Sequence, residues 1–450
     1  MLRHLRLIGA TLLLTAAWGQ AMDQRHEDQS CAALDQWREG RALFLRETLP
    51  GVGAPTHVLR RRDGRPALDL GRAFACALCH NVPLGDGGAG ATILRAGAGR
   101  STPHLFGAGA REQVAQAIAA DLMAAADRTG DGLVGPADRP FPPAEVQGVS
   151  FGRWDDGRGR PDLDAAIVLR PLAAKGMAVA AEDARFVGWA ISVPAFGWGE
   201  DAMRPALDGT ALRSFISGAF AQHAGLQADD PATGLRSPLG AALLPHAAID
   251  PGRRRDAAGV SRDDPDGDGV LSELRSADIT ALERFHLDHP EPPPPRLEGA
   301  AAAGRQRFEA IGCATCHRPD WAFPAVADRR ALAWTWTATG AWPAPRPPGP
   351  LAVTGIYSDF RSHDLGPALH LVHDDGTVIK RVRTPPLWGV ASSGPWLHDG
   401  RALDLDDAVR AHGGDAAASA AAYADDAATR DEVLAFLLAL RLRAVRSATP

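Results

Sequence analysis

Two stretches of the chain carry the same helical spacing of apolar residues. Residues 33–46, ALDQWREGRALFLR, and residues 297–310, LEGAAAAGRQRFEA, both read as helices, each with a Gly-Arg pair followed by an aromatic residue. Each precedes a Cys-x-x-Cys-His motif, CALCH at 76–80 and CATCH at 313–317. This order, helix first and cysteine motif after it, is an internal repeat. Beyond the motifs run RSTPHLFGAGA from Arg100 and RTPPLWGVASS from Arg383, where Pro and Gly predict extended or turned backbone. At the C-terminus, RDEVLAFLLALRLR places Val433, Phe436, Leu437 and Leu440 on one face, suited to packing on another helix. PEPPPPR at 290–296 reads as a stiff linker opening the second repeat, and the segment from 146 to 295 has no clear period.

The N-terminal pattern is different. Arg3 and Arg6 precede an apolar run, Leu7 to Trp18, that is short for a bilayer span, and Gly19 with Ala21 offers small residues to a signal peptidase. Residues 1–21 are therefore expected to be a cleaved secretory signal, with a retained anchor as the alternative; both place the remainder outside the cytoplasm. No later run approaches membrane length.

Composition narrows the class. With 450 residues, 45% hydrophobic and 23% charged, the chain can bury two or three cores. Its formal charge is −6, and with only two lysines, Lys175 and Lys380, the arginines read as a bias of usage. Nothing in this pattern points to nucleic acid.

Four of the five cysteines lie in the two motifs. In an oxidising compartment a CxxC forms a disulfide, half a zinc site or a haem attachment. Zinc and disulfide chemistry do not require a histidine directly after each pair, whereas c-type haem does. Cys76 and Cys79, or Cys313 and Cys316, would reach the two vinyl groups of one porphyrin, and His80 or His317 would bind its iron. Two covalently bound haem c groups are expected, with Cys31 a free or incidental thiol. All five methionines lie at or before Met203, so the second repeat cannot form its own His/Met iron. Its further histidines are His363, His370, His373, His398 and His412, each also readable as a surface residue.

Acidic loops add another candidate. DPDGDGVLSE sets Asp264, Asp266 and Asp268 at alternate positions, Gly269 at a turn, Val270 for a carbonyl and Glu273 as closing carboxylate. Calcium is the expectation, although Glu273 comes two residues earlier than in an EF-hand. Asp127, Asp131, Gly132 and Asp138 form a weaker copy, read as an Asp/Gly turn.

The stretches YSDFRSHDLGPAL, RTPPLWGV and LHDGRALDLDDAVRAHGG, with the closing helix, resemble the C-terminal half of the di-haem cytochrome c peroxidase superfamily. The likeness is greatest to the bacterial di-haem oxidoreductases labelled "thiol oxidoreductase". RSTPHLFGAGAREQVAQAI, DRTGDGLVG, AFGWG and DPDGDGVLSE also have counterparts there. The implied fold is mainly α, two cytochrome c-like haem modules with long loops and an intervening irregular segment. The expected partition is signal 1–21, N-terminal haem domain 22–145, intervening segment 146–295 and C-terminal haem domain 296–450.

The resemblance also implies roles. Related peroxidases hold a ligand to the C-terminal haem where His412 stands, which selects His412 as sixth ligand and implies a bis-histidine iron of lower potential than a His/Met one. His398 would stand near a propionate. Glu112 matches a glutamate common in the group and is the candidate acid/base; its plain alternative is a helix N-terminal carboxylate. The first haem departs from the pattern, because NVPLGDGGAGATILRAGAG lacks the expected histidine. Either His104 or one of Met123, Met177 and Met203 takes that position, or the iron is open, which is the expectation.

The implied activity is that of a periplasmic peroxidase-like oxidoreductase. It would reduce hydrogen peroxide at the first haem, with electrons relayed by the second from a small donor such as a cytochrome c or cupredoxin. Trp198 and Trp388 are candidate bridges among eleven tryptophans. The rivals are an electron carrier with both irons six-coordinate and a peroxide-dependent oxidase of a protein or sulfur substrate.

Overall fold

The computed structural model describes residues 31–45, 75–80, 93–94, 100–130, 138–151, 154–155, 167–171, 189–191, 216, 228–229, 274–289, 291–324, 350–372 and 378–442. The segment 1–21, Met177, Met203, Trp198 and the acidic loop with Asp264, Asp266, Asp268, Val270 and Glu273 lie outside the described residues. Among these residues no helix is long and apolar enough to cross a membrane.

Helix α1 (Cys31–Leu45) is opened by Cys31 and buries Trp37, Gly40 and Phe44 along one face. Their spacing of three and four keeps them on one stripe. After the single turn α2 (Cys76–Cys79) and a short extended stretch comes α3 (Ala108–Ala126), which buries Val114, Ile118 and Leu122 at every fourth position. Helix α4 (Ser276–Leu287) begins where the Asp278 carboxylate accepts the Arg275 backbone N–H at 2.8 Å, satisfying one orphan donor of the first turn. The C-terminal part contains α5 (Gly299–Ala310), α6 (Leu405–Arg410), α7 (Ala417–Asp425) and α8 (Ala427–Ala439). Asp404 and Asp426 cap α6 and α8 by accepting the N–H of Asp407 at 2.7 Å and of Thr429 at 2.9 Å.

Two helix pairs repeat one crossing. Helix α1 packs on α4, and α5 packs on α8. At the first crossing a Cβ on Gly40 would collide with the Ala281 carbonyl and the Phe285 side chain; at the second a Cβ on Gly304 would collide with the Glu432 carbonyl and Phe436. Glycine is thus required by backbone contact rather than by a special φ. Four residues after each glycine, an aromatic ring meets its partner across the pair: Phe44–Phe285 at 5.0 Å and Phe308–Phe436 at 5.3 Å between centroids. Exchanging Gly304 for Val should cost about 1–3 kcal/mol or more through forced separation of α5 and α8. A denaturant midpoint indistinguishable from that of the parent would contradict this crossing.

The pairing crosses the boundary expected from sequence. Helix α4 lies within 146–295, the part assigned to an intervening segment, yet it covers the face of α1. A boundary at 145 cuts this pair in two. The apolar stripe of α1 needs a partner, and the chain supplies it only after a long excursion. Val433, Phe436, Leu437 and Leu440 are all buried against the second crossing, on the face their spacing marks.

One apolar core lies beneath α1, α3 and α4 and takes in Trp321, Phe323, Leu351, Val353, Ile356, Phe360, Trp388 and Leu442 from the C-terminal part. A second gathers Phe308, Tyr357, Leu387, Tyr423 and the buried face of α8. Short antiparallel ribbons frame them: Trp321–Phe323 with Leu351–Val353, and Ser362–Asp364 with Arg381–Arg383.

Candidate haem sites

Each CxxCH motif closes one tight turn. The backbone N–H of His80 donates to the Cys76 carbonyl at 2.9 Å, and that of His317 to the Cys313 carbonyl at 3.0 Å. Cys76, Cys313 and Cys316 are half-buried thiols outside any disulfide, as thioether attachment to a porphyrin requires. The Cys79 side chain lies outside the described residues. Burial pushes the Cys313 thiol up to about 11, so it stays protonated until it reacts.

Both motif histidines use the same ring nitrogen in the same way. Nδ1–H of His80 donates to the Pro103 carbonyl at 2.8 Å, and Nδ1–H of His317 to the Tyr357 carbonyl at 3.0 Å. A carbonyl can only accept, so the proton sits on Nδ1 and the Nε2 lone pair is left for a metal. Burial, then the neighbouring His412, lowers His317 to about 4, so the ring is neutral at physiological pH. Phe44 lies 6.2 Å from the His80 ring and Phe308 6.1 Å from the His317 ring, so the repeat extends to the packing behind each histidine.

His412 stands close enough to His317 for their charges to interact. It follows the last turn of α6, and its Nδ1–H donates to the Ala408 carbonyl at 2.8 Å. Its Nε2 is thereby also the metal-binding lone pair. The two glycines after it have a physical reason: Gly413 N–H donates to the Leu365 carbonyl at 3.0 Å, and at Gly414, with φ +50°, a Cβ would collide with the Asp364 carbonyl. The loop is pinned further by Asp415, which accepts the Asp364 N–H at 3.1 Å. Two neutral imidazoles with bound Nδ1–H and free Nε2 fit a bis-histidine iron.

The other histidines of the second repeat are engaged elsewhere. His363 donates through Nε2 to Asp359 at 2.7 Å; burial opposes its charge, but the Asp359 carboxylate prevails and lifts it to about 9. Asp359, His363 and the Cys316 thiol lie together, but a sulfur that becomes a thioether is lost to another metal. His370 pairs with Asp364 at 2.9 Å, and His373 lies outside the described residues. The His398 side chain is buried 3.9 Å from the Asp399 carboxylate, while its carbonyl accepts the Ser101 N–H at 2.7 Å.

In the first repeat, His104 is buried and its Nε2–H donates to the Pro386 carbonyl at 3.2 Å. Burial, then the Arg111 guanidinium, lowers it to about 3. That bond turns Nε2 toward the C-terminal part and leaves Nδ1, buried and without a hydrogen bond, as the lone pair of the ring. The Met123 side chain lies outside the described residues. Glu112 is buried in α3 beside Arg111, which is unlike a solvated helix-terminal carboxylate. Trp388 is buried and lies against Gly107, where a Cβ would collide with its ring. Asp127 and Asp138 act as turn acceptors, Asp127 for the Gly130 N–H and Asp138 for the Arg128 and Thr129 N–H groups, as an Asp/Gly turn predicts; Asp131 and Gly132 lie outside the described residues.

Two features escaped the sequence reading. Arg111 and Arg383 lie near one another; burial lowers Arg111 to about 10, and burial with the Arg111 charge lowers Arg383 to about 9. Such crowding of positive charge suits the propionates of haem. The second feature is on α4, where ALERFHLDH aligns with EVLAFLLAL of α8. His286 and His289 occupy the places of Leu437 and Leu440, and both are buried. His286 donates through Nδ1 to the Leu282 carbonyl at 2.6 Å, and burial lowers it to about 4. The shared Phe-x-Leu within the two stretches was the signal available in the sequence.

Comparison with known proteins agrees with this chemistry. A comparison with curated proteins yields no match. A chain of Kuenenia stuttgartiensis hydrazine synthase, from a structure pressurized with 20 bar xenon, is similar at 16% identity, over 40% of this chain and 60% of that one. The chain thus spans less than two thirds of that neighbour, and at a TM-score of 0.25 the likeness carries no argument. Residues 296–440 match the family model described as "Di-haem oxidoreductase, putative peroxidase". Those residues contain α5, the second CxxCH, His412 and α8. Residues 296–440 are thus similar to this family of di-haem oxidoreductases, which is consistent with a di-haem peroxidase-like superfamily.

Proposed function

We propose that the protein is an exported di-haem c-type peroxidase that takes peroxide at the His80 site and electrons at the His317 site. One observation carries this reading: both CxxCH turns spend the histidine's Nδ1–H on a backbone carbonyl, and His412, whose own Nδ1–H is spent on Ala408, stands beside His317. The loop 81–99, where the first site would find its own partner, contains neither His nor Met. Haem c, when bound, supplies an iron that exchanges single electrons and, at an open position, coordinates peroxide.

The chain's own residues supply the rest. His80 and His317 would hold iron through Nε2, their Nδ1–H bonds to Pro103 and Tyr357 keeping the rings oriented and their basicity raised. His412 would close the second site, leaving it to pass electrons only. Arg111 and Arg383 would hold propionates with charge-assisted hydrogen bonds. Glu112 would take a proton from the peroxide oxygen nearer the iron and return it to the departing one. Each peroxide consumes two electrons and two protons and leaves two waters; the electrons come from a small redox protein such as a cytochrome c or cupredoxin. Secretion to the periplasm through 1–21 and calcium at Asp264, Asp266, Asp268, Val270 and Glu273 belong to the same proposal. In the electron-carrier alternative His104 would bind through Nδ1, since its Nε2 is committed to Pro386.

The test is absorption and EPR spectroscopy of the ferric holoprotein before and after stoichiometric peroxide. One high-spin and one low-spin haem, the high-spin one reacting, is expected; two unreactive low-spin haems would make the protein an electron carrier. Exchanging Glu112 for Gln should slow the peroxide reaction about 100-fold or more with both spectra preserved. An unchanged rate would remove Glu112 from the mechanism.

A further inference from the structure

The two iron-binding histidines are joined by a continuous path of covalent and hydrogen bonds, and only one side chain lies within it. From the His80 ring the path runs through Nδ1–H to the Pro103 carbonyl at 2.8 Å and across one peptide bond into His104. Nε2–H of His104 donates to the Pro386 carbonyl at 3.2 Å. The next residue, Leu387, donates its N–H to the Ile356 carbonyl at 3.0 Å. The residue after Ile356 is Tyr357, whose carbonyl accepts Nδ1–H of His317 at 3.0 Å. Every other link is backbone.

The surroundings hold His104 in this role. The Phe106 ring stacks on it at 5.0 Å and 18°, and the Arg111 guanidinium donates to its carbonyl at 3.2 Å. Its tautomer is set by its acceptor, since a carbonyl requires the proton on Nε2. The parts it joins also meet through the Ser101 N–H to His398 carbonyl bond and through Trp388 against Gly107. In the alignment of PHLFG with PPLWG, the counterpart of His104 is Pro386 itself, a residue with no donor. The link therefore runs one way, from the first repeat to the second.

We propose that His104 is the positioning residue that couples the two haem sites electronically, through its hydrogen bond to Pro386. This rests on the reading of His80 and His317 as haem ligands. With haem bound at both sites, one electron would pass from the His317 site to the His80 site, the first being oxidised and the second reduced. No bond is made or broken and no proton moves, because each N–H along the path stays on its nitrogen. Shortening or removing the His104 donor breaks the one link of this path that a side chain between its two ends provides.

The experiment is photochemical injection of one electron into the holoprotein, followed by the absorbance change as it equilibrates between the haems. His104→Phe keeps the stacking and volume but lacks the donor, and should slow equilibration about tenfold or more. His104→Gln places an amide N–H near the position of Nε2 and should recover most of the rate, a rescue that a packing role would not show. His104→Asn, whose amide is too short to reach Pro386, gives the same contrast with Gln if the Phe protein fails to bind two haems. EPR of each variant should match the parent. Rates unaffected by Phe and Asn, or rates that fall only in Trp388→Phe, overturn the proposal, and so does a spin change at the first haem in the His104 variants. Fast transfer sensitive to His104 in a protein inert to peroxide would sink the peroxidase reading while leaving this one intact; peroxide turnover with transfer insensitive to His104 would do the reverse.

Discussion

Exchanging His412 for Ala is expected to turn the low-spin haem at His317 into a high-spin one. The structure puts the His412 ring beside His317 with Nδ1–H spent on Ala408, so its free Nε2 is the donor that a second axial bond needs. Alanine offers no lone pair, and the glycines behind it are held against Asp364 and Leu365, which keeps the loop from bringing in a substitute. The EPR spectrum of the ferric holoprotein decides: loss of the low-spin signal assigned to the second haem is expected, and its persistence would remove His412 from the ligand set. The His412→Met protein supplies the complementary check. It should remain low-spin with a raised reduction potential, because a thioether favours ferrous iron.

Exchanging Phe436 for Ala should have the largest effect on stability, a loss of about 3–5 kcal/mol. The ring is fully buried at the α5–α8 crossing, 5.3 Å from both Phe308 and Tyr357. Deleting it loses the transfer energy of the ring and leaves a cavity that helices held together at Gly304 cannot close. Tyr357 is also the residue whose carbonyl holds His317, so the damage reaches the site. A urea titration with a lowered midpoint and unchanged slope would show it. Leu438, on the outer face of the same helix at 46% exposure, is the control: its alanine variant should stay within about 0.5 kcal/mol of the parent.

Some of this was legible in the residues alone. The apolar spacing of α1, α5 and α8 marks their buried faces, because a helix has one period and neighbours three or four apart share a side. The boundary of the first helix pair was not legible. Helix α4 is separated from α1 by more chain than any local pattern spans, and its FHL stretch became recognisable only beside the FLL of α8. The histidines were equally ambiguous, since His363, His370, His398 and His412 are alike in composition and differ in what each Nδ1 and Nε2 meets.

By itself the sequence determined the local turn of each motif: two thiols and a histidine within five consecutive residues come together without any distant contact. Tertiary structure alone decided that Arg111 and Arg383 share one neighbourhood and that His104 reaches across to Pro386, and it set His412, which the resemblance had selected, beside His317. The physical reason is range. A motif closes over one turn of backbone, whereas a ligand pair, a charge cluster or a bridge depends on segments hundreds of residues apart being held in contact by cores that no single segment contains.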